Sequence, residues 1–290
     1  MISACDINNC MIDILDRYDS IVVFGNYRYG STVLCDLLHG FLESQGIDAQ
    51  EWNEYLHSNK YLAPHIYHGV ISQSLDVDMI DFGKDKVLFV SDPPQPHIVR
   101  AKLEHWRKAR RNNFIVFKIS PDDFGNGNSE LIREYVLDDP RVYKLGLNRS
   151  SVGNAAVSYA IGTYHNVWND NDAALKAMWA KDVPQARVQT HLLQHYVNLV
   201  LRHNHWLYFN ADILDEVAWF EDLSNLNLPG IGYHGFTETD IEKHPIDHAT
   251  RARKYFTNAD DLLSFSANLD AALRPLIDNL RSTKKASAET

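Results

Sequence analysis

Arg28, Gly30, Ser31 and Thr32 fall together in the stretch Ile21 to Leu37, IVVFGNYRYGSTVLCDL, where a cation and two hydroxyls follow a short apolar run. Such a grouping can hold an anion. Ile21 to Phe24 have the composition of a buried strand, and Val33, Leu34, Leu37 and Leu38 recur at helical spacing. The turn between them therefore falls at a helix N-terminus, where unpaired backbone N–H groups and the positive end of the helix dipole favour negative charge. The same residues would also suit a tight strand-to-helix turn with an exposed arginine.

The spacing Gly25-x-x-x-x-Gly30-x-Thr32 follows the phosphate loop of ATPases, except that Ser31 stands where a lysine is expected. A lysine there reaches the β- and γ-phosphates, so its replacement weighs against ATP or GTP hydrolysis. Arg28, inside the loop, suits a ligand with one 5′-phosphate and a further anionic group. A second candidate anchor lies downstream. Leu145 to Arg149 reads as a strand end, followed by a helical run from Val152 to Tyr159 that contains Ser158. An arginine at a strand terminus and a serine on the next helix can grip a phosphate together. Each also has a structural use, the arginine against a carbonyl or carboxylate and the serine against its own helix.

Together these segments resemble the sulfotransferases that use 3′-phosphoadenosine 5′-phosphosulfate (PAPS), in particular the bacterial group that sulfates trehalose glycolipids. Asn26-Tyr-Arg28-Tyr-Gly30-Ser31-Thr32 is similar to that family's R-x-G-[ST]-[ST] loop. Leu147-Asn-Arg149 through Ala155-Ala-Val-Ser158 is similar to its L-x-R…A-V-S segment, with the likeness continuing to Val167-Trp168. Gln50-Glu51-Trp52 and Tyr55-Leu56 resemble the stretch carrying the family's catalytic glutamate, and Phe114 to Lys118 resembles its next core strand. The likeness is concentrated between residues 20 and 170.

The resemblance implies PAPS as donor, with its 5′-phosphosulfate held by Arg28, Tyr29, Gly30, Ser31 and Thr32 and its 3′-phosphate by Arg149 and Ser158. It implies Glu51 as general base toward an acceptor hydroxyl on a carbohydrate or small molecule, and a reaction that requires no metal. Two positions depart from the family pattern. Ser150 replaces a common arginine, and Tyr29 replaces a small residue and could narrow the loop. Glu51 has a plain alternative as an exposed carboxylate in the acidic stretch Asp48 to Glu54. His57, His65 and His68 are the next candidate bases.

Two other readings use the same loop. Val87 to Asp92, VLFVSD, is an apolar run ending in aspartate, the way a magnesium-holding carboxylate is presented in kinases and NTPases. A nucleotide-binding or scaffold protein without turnover would keep the loop and lose the transfer. His191 and His195 share a helix face but lack the glutamate of H-E-x-x-H, so they read as structural or surface residues. His203 and His205, flanking an expected strand start, read the same way. Arg251 and Arg253 could swing in from a lid, and Arg107 to Arg111 reads as an exposed helix face. Tyr61, Tyr67, Trp106, Tyr164, Trp168 and Trp179 could line a carbohydrate site or pack in the core.

The elements that must position these residues follow from the apolar pattern. Ile21 to Phe24, Val87 to Val90, Phe114 to Phe117, Val142 to Leu147 and Trp206 to Phe209 read as strands buried on both faces. Ile98 to Arg111, Val152 to Ala180 and Ala186 to His203 read as helices between them. This alternation predicts an α/β fold, a mainly parallel sheet of the phosphate-loop type flanked by helices. Residues 225–258 read as a loop or lid. Ala259 to Arg281 reads as a helix with Leu262, Leu263, Phe265, Leu269, Leu273 and Leu276 inward, so residues 1–281 form one expected domain and 282–290 a frayed tail.

The 290 residues and 45% apolar content suit such a domain. A net charge of -10, from 38 acidic and 28 basic side chains, weighs against broad nucleic-acid binding. Cys5, Cys10 and Cys35 lack metal-site spacing and suggest no disulfide framework. The acidic N-terminal stretch and the absence of a long apolar run predict a cytoplasmic protein without a membrane span. The oligomeric state is left open, a homodimer included.

Overall fold

A computed structural model of the chain describes residues 14–26, 29–53, 55–56, 79–82, 85–88, 96–125, 127–165, 185–234 and 248–288. Its strands are β1 (Ser20–Phe24), β2 (Ala49–Asn53), β3 (Met79–Phe82), β4 (Asp85–Leu88), β5 (Phe114–Ile119), β6 (Val142–Asn148), β7 (Glu216–Trp219), β8 (Asn227–Leu228) and β9 (Tyr233–His234). The helices are α1 (Ser31–Ser44), α2 (Pro96–Ala109), α3 (Ser129–Ile132, continuing as a π turn over Arg133–Leu137), α4 (Val152–His165), α5 (Thr190–Phe209), α6 (His248–Tyr255) and α7 (Ala259–Ala288).

Five strands form one sheet in the order β2-β5-β1-β6-β7, and every pairing within it is parallel. All residues of β1, β5 and β6 are buried, which is why their sequences run apolar without alternating. Alternation survives in where the side chains go. Ile21 and Val23 pack with Leu34, Leu38 and Leu42 of α1 and with α4 and the first half of α5. Val22 and Phe24 pack on the other face with Val99, Leu103 and Trp106 of α2 and with α3. The last turns of α5 bring Leu207 into that second layer.

The chain leaves β1 through α1 toward β2 on one side, whereas the connection leaving β6 leads to β7 on the other. The neighbouring C-terminal ends of β1 and β6, in register from Ser20↔Val142 to Phe24↔Gly146, therefore flank the point where the strand order reverses. Ligands of open α/β sheets bind at such points. Both candidate anchors, the turn after β1 and Arg149 after β6, lie there.

Several elements differ from the sequence expectation. Trp206 to Phe209 is not a strand but the end of α5, which runs unbroken from Thr190 and leaves Tyr208 and Phe209 exposed. His203 and His205 accordingly lie within a helix. Val87 and Leu88 belong to β4, which pairs antiparallel with β3 outside the main sheet. Asp92 lies outside the described residues, as do His57, His65, His68, Tyr61, Tyr67, Trp168 and Trp179. In place of a plain loop, residues 225–258 contain the antiparallel pair β8–β9 and α6. Helix α7 extends to Ala288, and Phe265 and Leu276, expected inward, are exposed while Ile277 is buried. Arg110 does not lie on a solvated face: its guanidinium pairs with Asp19 at 3.1 Å and with Asp139. Trp106 is fully buried in the core, so it lines no acceptor site. Among the described residues no helix is long and apolar enough to cross a membrane.

Candidate functional site

The turn after β1 is tied down at both ends. Gly25 N–H donates to the Ile119 carbonyl at 3.1 Å, and Tyr29 N–H to the Asn26 carbonyl at 3.2 Å. Gly30 has φ 82°, a left-handed conformation that glycine adopts without penalty, and a Cβ there would stand 2.2 Å from the Phe220 ring. The chain then enters α1 directly, and no side chain caps its N-terminus. Its first amides point where an anion could take them. Tyr27 and Arg28 lie outside the described residues, so the loop cation expected from sequence is not located.

A different cation is located. Lys118, buried near the C-terminal end of β5, donates from Nζ to Thr32 Oγ1 at 2.9 Å. The sequence reading treated Lys118 only as the end of a core strand. Its signal was nonetheless present, because a lysine closing the apolar run FIVFK is costly to bury without a partner. Glu51 lies on the next strand. It is half-buried on β2 opposite Val116, so it shares a sheet face with Val116 and, two residues along β5, with Lys118. A register shift between Glu51 and Asn53 interrupts the pairing there, and Trp52 turns to the other face, where its ring stacks on His105 at 5.3 Å. Loop, lysine and glutamate are thus gathered on the α1 side of three adjacent strands.

Tyr29 does not narrow the loop. Its side chain is fully buried against α5, where its hydroxyl lies 2.8 Å from the Val200 carbonyl and 2.9 Å from Asn204 Oδ1, and its ring meets His203 edge-on at 4.8 Å. Burial raises the phenol well above its ordinary pKa. Only the backbone of Tyr29 faces the turn's interior. Ser31 is likewise buried, pressed against Gly25.

The second anchor is differently furnished. Arg149 is 2% exposed and its guanidinium lies 4.6 Å from the centre of the Phe220 ring. Burial works against its charge, and Glu221, Tyr29 and Asp270 favour it. The N-terminus of α4 is already occupied by carboxylates. Glu221 accepts from Ser150 N–H at 3.0 Å and Ser151 N–H at 3.0 Å, and Asp270 accepts from Gly153 N–H at 2.7 Å. Burial alone would raise the Glu221 carboxyl, but the two serine amides outweigh it and hold the group below the usual range. Asp270 is raised by burial, against the pull of the Gly153 and Asn154 amides. Ser158, inside α4, is 3% exposed.

The residues present therefore fit the two ends of a PAPS-like donor unequally. At the loop, an uncapped helix start and Lys118 offer positive field for a 5′-phosphosulfate. At Arg149 a second phosphate would meet a buried guanidinium flanked by Glu221 and Asp270. Arg253, considered as a lid residue, pairs instead with Asp260 at 3.1 Å on the exposed surface, and the Arg251 side chain lies outside the described set. His191 and His195 are exposed on α5.

Comparison with known proteins leaves this reading to rest on the residues themselves: no family model, no curated protein and no solved structure matches the chain.

Proposed function

We propose that this chain is a sulfotransferase that moves a sulfuryl group from PAPS to an acceptor hydroxyl on a carbohydrate or small molecule. The reading takes the sheet as one of the phosphate-loop type. The observation that carries it is the 2.9 Å contact from Lys118 Nζ to Thr32 Oγ1 beneath the uncapped start of α1. In ATP-hydrolysing loops that hydroxyl binds magnesium. A buried ammonium at the same oxygen repels a divalent cation and supplies the positive charge itself. The arrangement thus favours an anionic leaving group neutralised by protein groups over a metal-bridged triphosphate.

In this scheme the sulfur–oxygen bond to the donor's 5′-phosphate breaks as the acceptor oxygen bonds to sulfur. The phosphate leaves as an anion against Lys118, Arg28 and the amides of Gly30, Ser31 and Thr32. The acceptor's proton passes to Glu51, and positioning supplies much of the remainder. The test is transfer of label from PAPS to a panel of hydroxyl acceptors. Transfer persists in EDTA, and Glu51→Gln lowers turnover by about 10²–10⁴-fold while donor binding is retained. Turnover of ATP that requires magnesium would overturn the proposal.

One observation favours a second reading. The carboxylates of Glu221 and Asp270 beside buried Arg149 disfavour a second dianion there. A non-catalytic protein that binds a nucleotide through its 5′-phosphate alone would suit that half of the site.

A further inference from the structure

Tyr29 and Asn204 make a bridge that neither side chain's position in the sequence announces. Asn204, 7% exposed on α5, donates from Nδ2 to the Arg149 carbonyl at 3.0 Å. A carbonyl only accepts, so this contact fixes the orientation of the amide and turns Oδ1 toward the Tyr29 hydroxyl, 2.9 Å away. One turn earlier, Tyr29 also reaches the Val200 carbonyl, and His203 from the same helix lies 3.3 Å from the Leu147 carbonyl. Burial holds His203 down to about 3, so its ring is neutral and Nε2–H is the donor to that carbonyl.

One stretch of α5 therefore grips both the turn after β1, through Tyr29, and the end of β6, through the carbonyls of Leu147 and Arg149. These are the two segments on either side of the switch point. We infer that Tyr29 and Asn204 are positioning residues that lock these two segments into one rigid unit and so set the spacing between the two anion-binding ends of the site. The inference rests on the proposed reading for its functional consequence, the preference for a ligand with two anionic ends. The mechanical coupling stands without it.

Both parts can be tested on the intact chain. Amide hydrogen exchange, followed by mass spectrometry of the ligand-free protein, reads the coupling directly. Tyr29→Phe removes one hydroxyl and keeps the ring. It should speed exchange by about fivefold in the peptides covering Gly30 to Thr32 and also in those covering Arg149 to Ser151. Asn204→Leu should accelerate the same two segments, and the double variant should add little to either single change.

If Tyr29→Phe loosens only the turn, and Asn204→Leu only the end of β6, the bridge couples nothing and the inference fails. In binding titrations, Tyr29→Phe should lower the ratio of affinities for adenosine 3′,5′-bisphosphate and AMP, whereas a merely structural defect would weaken both nucleotides alike. A wild-type ratio of one would count against the proposed function, and the exchange data would still decide the inference.

Discussion

At the level of single residues, the positive field of the site has an owner that the loop motif does not contain. Lys118 comes from β5, three elements after the loop, and reaches Thr32 because β5 pairs with β1 and its side chain faces α1. Replacing it with methionine keeps length and removes charge. Lys118→Met should weaken binding of a 5′-phosphate by about 10- to 100-fold, the worth of a hydrogen bond to a charged group, with little change in fold. Calorimetry with AMP checks this. An unchanged affinity would mean that Arg28 and the amides alone carry the phosphate. The glycines, Arg28 and Thr32 were legible in sequence because they are contiguous and their types answer to a backbone geometry. Lys118 was not singled out, and the fate of Tyr29 was misjudged, because each depends on a partner some 86 or 175 positions away in the chain.

At the level of elements, the two helices that begin at the switch point have opposite characters. The start of α1 is open, whereas that of α4 is closed by Glu221 and Asp270. Glu221 should therefore act as a cap. Glu221→Gln should cost about 1 kcal/mol in denaturant unfolding. The sign with pH is fixed by the depressed carboxyl. Stability from this contact is fully present above the ordinary carboxylate range and is lost as pH falls through the lower folded-state value, a loss the variant should not repeat. A parallel acid response in both proteins would remove Glu221 from that role. Sequence found β1, β5, β6, α1 and α2 because burial on both faces, or on one helical face, leaves an unmistakable apolar pattern. It missed β2 and β7, since AQEWN and EVAW are short edge strands whose polar residues a sheet edge tolerates. It misread WLYF at the end of α5 because a helix that crosses between two cores buries different faces in turn.

On the scale of the whole molecule, a chain of net charge -10 must concentrate its cations to attract an anionic ligand, and the sheet does so where its strand order reverses. Lys118 and the open end of α1 lie on one side of that crevice, and Arg149 with its own carboxylates lies on the other. The central claim is that both sides act on one donor, with α5 holding them at a fixed spacing. Calorimetric titration of the wild-type chain with adenosine 3′,5′-bisphosphate, AMP and ATP tests it most directly. The account predicts that the bisphosphate binds well above both others, by at least about tenfold, because a second charge-assisted contact is gained at Arg149. Equal affinity for all three nucleotides would contradict it, leaving a loop that holds one phosphate and a second anchor that serves only the fold.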